Sequence, residues 1–114
     1  MDLIGRYIGI FCHAATEKGD GTSAEDTEYF RTMQGALEKL KMHPRGLENF
    51  EMLINHENNW VRCWVASQLL AESGDKEALV VLNQLSKIGG IIGFTAETTI
   101  SEYNAGNLVG PLQR

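Results

Sequence analysis

Apolar residues recur along this chain at the three- and four-residue spacing of helix faces, in successive stretches parted by short polar turns. Leu3, Ile4, Tyr7, Ile8, Phe11 and Ala15 predict a first helix that stops at Gly19, with Arg6 and His13 on its other side. Tyr29, Phe30, Met33, Leu37 and Leu40 predict a second, from about residue 25 to 42. Pro44 ends it by disfavouring helical backbone at His43. Leu47, Phe50, Leu53 and Ile54 mark a short third helix, and the polar turn from His56 to Asn59 offers Asn58 or Asn59 as the next N-cap.

The stretch from Asn58 to Glu72 differs from the rest. Trp60, Val61, Trp64, Val65, Leu69 and Leu70 cover a face wider than a simple amphipathic stripe. A helix of that length spans about 22 Å, and its width suits neighbours on more than one side. The other helices are therefore expected to gather around it, with Trp64 in the core. Ser73, Gly74 and Asp75 end it and cap a fifth helix, whose inner face is Ala78, Val81, Leu82 and Leu85. Gly89 and Gly90 turn the chain into a sixth, using Ile92, Ala96, Thr99, Ile100 and Tyr103 and closing at Asn104 to Gly106. Residues 1–106 thus read as one all-α domain of about six helices, with 107–114 as a tail or loosely docked segment. No strand pattern competes.

Composition adds little to this picture. At 114 residues, 43% apolar and 22% charged, the chain is long enough for one hydrophobic core and has the balance of an ordinary soluble domain. No run approaches the ~18 apolar residues of a membrane span. Asp2 near the start, and the lack of an Ala-x-Ala site after the first helix, argue against a secretory leader. Cys12 and Cys63 sit in apolar helical patterns as reduced thiols, which fits a cytoplasmic compartment.

Charge changes the picture more. The net charge of −5 disfavours nucleic acid, whose binding rests on Lys and Arg at phosphates. Between Glu17 and Glu28 lie five acids and one lysine, so nearly all of the net charge is concentrated there. Ser23 and Asp26 resemble a loose capping box, and acids suit the first turn of a helix. The stretch reads either as a solvated loop and helix start or as a docking surface for a basic partner.

The second half divides into two similar units, 46–72 and 75–105, each helix–turn–helix, as in an α-solenoid. Two such units are marginal alone, and the first two helices would supply a third layer. The turn and helix from His56 to Ala66, with Val61, Arg62 and the small Ala66 four positions on, look like the second helix of a HEAT repeat. With Glu77–Leu82 and Gly93–Tyr103, this resembles the small bacterial HEAT-like family catalogued as domain of unknown function two thousand and nineteen. The resemblance covers about residues 3 to 106. It implies an all-helical HEAT-like fold, a short α-solenoid of antiparallel helix pairs, and no established activity.

Candidate chemistry is sparse. The HEAT-like resemblance implies that Arg62 bonds acidic side chains or exposed carbonyls of the adjacent turn. Trp60 and Trp64, one turn apart, share a face; Trp60, at the helix start, is the candidate contact residue, since Trp is enriched at interface centres. His56 and Glu57 begin like a zinc-protease motif, but position 60 holds Trp rather than the second His, so no metal site is expected. The glycines at 89, 90 and 93 follow no strand and precede no Lys-Ser/Thr, and read as an interhelical turn. Asp20 to Thr22 lacks the alternating acids of a calcium loop. No Ser or Cys has a recognisable catalytic partner, and no cofactor is implied.

The expected function is therefore a non-catalytic protein-binding module. Its best-fitting form is an immunity-type protein that neutralises a bacterial toxin such as a nuclease, through Asp20, Glu25, Asp26, Glu28 and Trp60. The alternative is an accessory or regulatory scaffold in a larger assembly. A HEAT-like enzyme acting on nucleic-acid bases would need a basic groove, which the acidic balance disfavours.

Overall fold

The computed structural model describes residues 2–19 and 24–113, except for the side chains of 24–26 and 113. Within them the chain forms six α-helices: α1 (Leu3–Lys18), α2 (Ala24–Lys41), α3 (Gly46–Met52), α4 (Asn59–Ser73), α5 (Lys76–Ser86) and α6 (Gly90–Asn104). Single 3-10 turns follow at Leu53–Asn55 and Pro111–Gln113, and no strand occurs among the described residues.

The helix ends follow from local chemistry. The Asp2 carboxylate accepts from the Ile4 amide, Asn58 Oδ1 from Trp60 and Val61, and Asp75 Oδ1 from Glu77 and Ala78. Each satisfies N–H groups that the first turn leaves without a partner. Gly74 closes α4 in the left-handed conformation, its N–H donating to the Leu70 carbonyl at 2.9 Å. At the end of α6, Asn107 N–H reaches the Glu102 carbonyl and Gly106 N–H the Tyr103 carbonyl, a Schellman pair. The capping box expected at Ser23 and Asp26 lies outside the described residues.

Packing places α4 at the centre. It lies against α1, α3, α5 and α6, while α1 packs along α2 and α5 along α6. Val61, Val65, Ala66, Leu69 and Leu70 are sealed into a core shared with Phe11, Met33, Leu40, Phe50, Leu82 and Leu85. Phe11 and Phe50 meet edge to face with centroids 5.1 Å apart, a geometry that aromatic quadrupoles favour. Two close approaches require glycine. A β-carbon at Gly46 would fall 1.8 Å from the Leu40 carbonyl oxygen, so only glycine lets α3 leave the corner after α2. One at Gly93 would sit 3.1 Å from the Ser86 carbonyl oxygen, so its absence lets α6 close on α5.

Three details differ from the sequence expectation. Leu3 and Leu47, assigned to inner faces, are exposed. Both stand in the first turn of a helix at the molecule's edge, where the spacing continues but no neighbour follows. Gln68 interrupts the apolar run of α4 yet is fully buried. Its Oε1 accepts the Leu112 amide at 3.0 Å and its Nε2 donates to Glu72 Oε1 at 2.9 Å. Gln34 Nε2 donates to the Leu112 carbonyl at 2.9 Å, so the C-terminal stretch is held from both sides, with the Leu112 side chain buried.

Candidate functional site

Helix α4 presents a second face, and it is not sealed. Trp60 and Trp64 point to the same side, as their spacing requires, and with Cys63 and Ser67 form the floor of a cleft of about 340 Å³. Phe94, Thr95, Thr98, Thr99 and Glu102 of α6 make one wall; Leu108, Val109 and Pro111 of the docked C-terminal stretch make another.

The chemistry of these walls is mostly apolar despite the threonines. Thr95, Thr98 and Thr99 donate their hydroxyls to carbonyls one turn back in α6, at 2.8, 2.9 and 3.0 Å. Their hydroxyl hydrogens are thereby used, and the oxygens remain acceptors. Phe94 is 70% exposed and Ile91, one turn before it, 63% exposed. Glu102 is the one charged side chain among the described lining residues.

The tryptophans are fixed from the opposite side by the end of α1. Trp64 Nε1 donates to the Gly19 carbonyl at 3.4 Å, and Lys18 Nζ lies 5.6 Å from the Trp64 ring centroid. Phe30 of α2 tilts against the same ring at 6.2 Å. A β-carbon at Gly19 would lie 3.3 Å from Trp60 Nε1, so α1 ends in contact with both indoles. Both are half-buried, packed on the core at one edge and open at the other. The assignment of Trp64 to the core is thus corrected to a boundary position. The buried residues of α6 are the small Gly93 and Ala96, while Ile92, Ile100 and Tyr103 pack on the core only in part.

Of the other predicted site residues, Glu28 is exposed on α2, in a shallow groove with Arg6, His13 and Tyr29 rather than in the aromatic cleft. Asp20 lies outside the described residues, as do the side chains of Glu25 and Asp26. Arg62 spans three partners: Nε donates to the Ile54 carbonyl at 2.9 Å, and its terminal nitrogens to Asn59 Oδ1 at 3.3 Å and Gln84 Oε1 at 3.1 Å. It ties the turn before α4 to α5. His56 Nδ1 accepts the Asn58 amide at 3.0 Å and so shapes the same turn.

Among the described residues no three His, Cys, Asp or Glu side chains converge as metal ligands, and no helix is long and apolar enough to cross a membrane. Cys12 is half-buried, and that burial pushes its thiol pKa above the ordinary value, which makes it a poor nucleophile. Sequence reasoning missed Phe94, Glu102 and the C-terminal wall of the cleft; an exposed Phe one turn from an exposed Ile, on a helix whose inner face was already assigned, was the available signal. Compared with known family models, curated proteins and solved structures, the chain finds no match.

Proposed function

We propose that this chain is a non-catalytic protein-binding module built as a short HEAT-like stack, and that its contact surface is the cleft between α4 and α6. The observation that carries this reading is the exposed Phe94 beside two half-open indoles. Large aromatic side chains left partly wet are the residues on which protein interfaces concentrate binding energy. The three successive helix pairs, with α4 touching both outer pairs, support the HEAT-like part of the proposal.

In its narrower form the module is an immunity-type protein, acting in the cytoplasm on a basic toxin domain such as a nuclease. The acidic stretch from Glu17 to Glu28 supports this, since it would steer a basic partner and slow association as salt rises. Co-expression with the toxin domain encoded by a neighbouring gene tests it: the two should co-purify and the cells survive. Absence of both binding and protection would remove the immunity reading. The scaffold alternative draws on Ile91 and Phe94, which face outward from the last helix where a stack would continue. It would show as stable incorporation into a larger assembly with no protection from any toxin.

A further inference from the structure

We infer that residues 107–112 are a latch on the aromatic cleft, seated by Gln34 and Gln68 to complete its third wall and released to open it; this rests on the reading of the cleft as the contact surface. The segment leaves α6 at Gly106, whose left-handed φ of +78° makes it the hinge. Between Asn107, whose amide closes α6, and Leu112, it shows no hydrogen bond to a helix among the described residues. Leu108, Val109 and Pro111 line the cleft, and Val109 is left exposed. The far side is not filled either: Leu112 borders a second hollow of about 320 Å³ with Gln34, Leu37, Glu38 and Lys41 of α2. A wall with space on both sides lacks the close contacts that hold a core element in one position.

Leu108 packs on the core only in part, so Leu112 is the main attachment. Its side chain is buried, its carbonyl accepts from Gln34 Nε2 at 2.9 Å, and its amide donates to Gln68 Oε1 at 3.0 Å. The Gln68 amide is itself oriented from the surface. Its Nε2 donates to Glu72 Oε1 at 2.9 Å, and Lys41 Nζ meets the same oxygen at 2.6 Å. Turning the amide over would set Oε1 against the carboxylate and Nε2 against the Leu112 N–H, two like contacts in place of two bonds. Only the observed orientation seats Leu112. Gln68 follows Trp64 by one helical turn, so α4 supplies both the floor of the cleft and the anchor of its wall. Gln68 is therefore a positioning residue for the cleft, and a line of contacts runs to it from Lys41 on α2.

Hydrogen exchange of the unaltered full chain, followed by NMR at denaturant concentrations below unfolding, tests the latch without any partner. Its failure thus stays distinct from that of the binding-module reading, which falls if no partner is bound in co-expression. The Leu112 amide should exchange at least about tenfold faster than those of Leu69 and Leu70 in α4, and with less dependence on denaturant, as a local opening does. Gln68→Met keeps the length of the side chain, removes the amide, and should speed exchange at position 112 by a further factor of about ten, the loss of one hydrogen bond. Both tryptophans of the chain line the cleft, so acrylamide quenching of their emission should rise in Gln68→Met and in Leu112→Ala while circular dichroism stays unchanged. Leu112→Ala lies outside the six helices and decides the point even where Gln68→Met does not fold. A merely structural role for Gln68 would lower global stability and leave local exchange and quenching as they were. Exchange of Leu112 in step with Leu69 and Leu70 would overturn the inference, because the segment would then open only with the whole fold. Unchanged quenching in both variants, with exchange at position 112 accelerated, would also overturn it, because the segment would then move without opening the cleft.

Discussion

Helices α4 and α6 are both fifteen residues long and both carry apolar residues on more than one side, yet the fold uses them differently. Eight residues of α4 are buried and only two of α6, the small Gly93 and Ala96. The surplus hydrophobicity of α4 is absorbed by four neighbouring helices, whereas Ile91 and Phe94 of α6 are left mostly exposed among the described residues. Equal periodicity therefore does not mean equal burial. A broad apolar face becomes core where the topology supplies neighbours, and becomes surface where the stack stops.

Substitutions on the two helices should separate these roles, the largest effect coming from the sealed side. Leu70→Ala removes a buried side chain from the inner face of α4 and should destabilise the fold by about 3–4 kcal/mol in denaturant unfolding. Trp64→Ala sits on the boundary between core and cleft. Losing its contacts with Phe30 and Gly19 should cost roughly 2–3 kcal/mol, less than for a fully buried Trp, and should also weaken any partner bound in the cleft. A loss as large as that of Leu70→Ala, with partner binding intact, would return Trp64 to the core. Arg62→Met leaves the Ile54 carbonyl and two side-chain acceptors without their donor and should cost about 1–3 kcal/mol, read from the same unfolding curves. Phe94→Ala should change stability by no more than about 0.5 kcal/mol, because its ring is mostly in water.

The helices themselves were legible in the sequence because their signals are local. Asn58, Asp75, Gly74 and Gly106 stand where a first or last turn needs an acceptor or a left-handed residue, and the structure uses each of them so. The carbonyl contact of Arg62 was expected from the HEAT-like resemblance; its other two acceptors are the amide side chains of Asn59 and Gln84 rather than acids. The cleft was not legible, because its floor comes from residues 60–67 and its walls from 94–102 and 108–111, and spacing within one helix says nothing about what lies opposite. Gln68 shows the same limit. A polar residue inside an apolar run reads as a blemish until the Leu112 amide, 44 positions away, arrives to use it. Gly93 carries no hydropathy at all, yet it sets how closely α6 approaches α5 and therefore which side of α6 is left open.

The central claim is that the aromatic cleft exists for a partner and not for the fold. Calorimetric titration of a partner that co-purifies with the chain, into the unaltered chain and into Phe94→Ala, tests it most directly. The account predicts that the two chains unfold at the same denaturant concentration while Phe94→Ala binds about tenfold more weakly or worse. Unchanged affinity in Phe94→Ala, or a large loss of its stability, would contradict it.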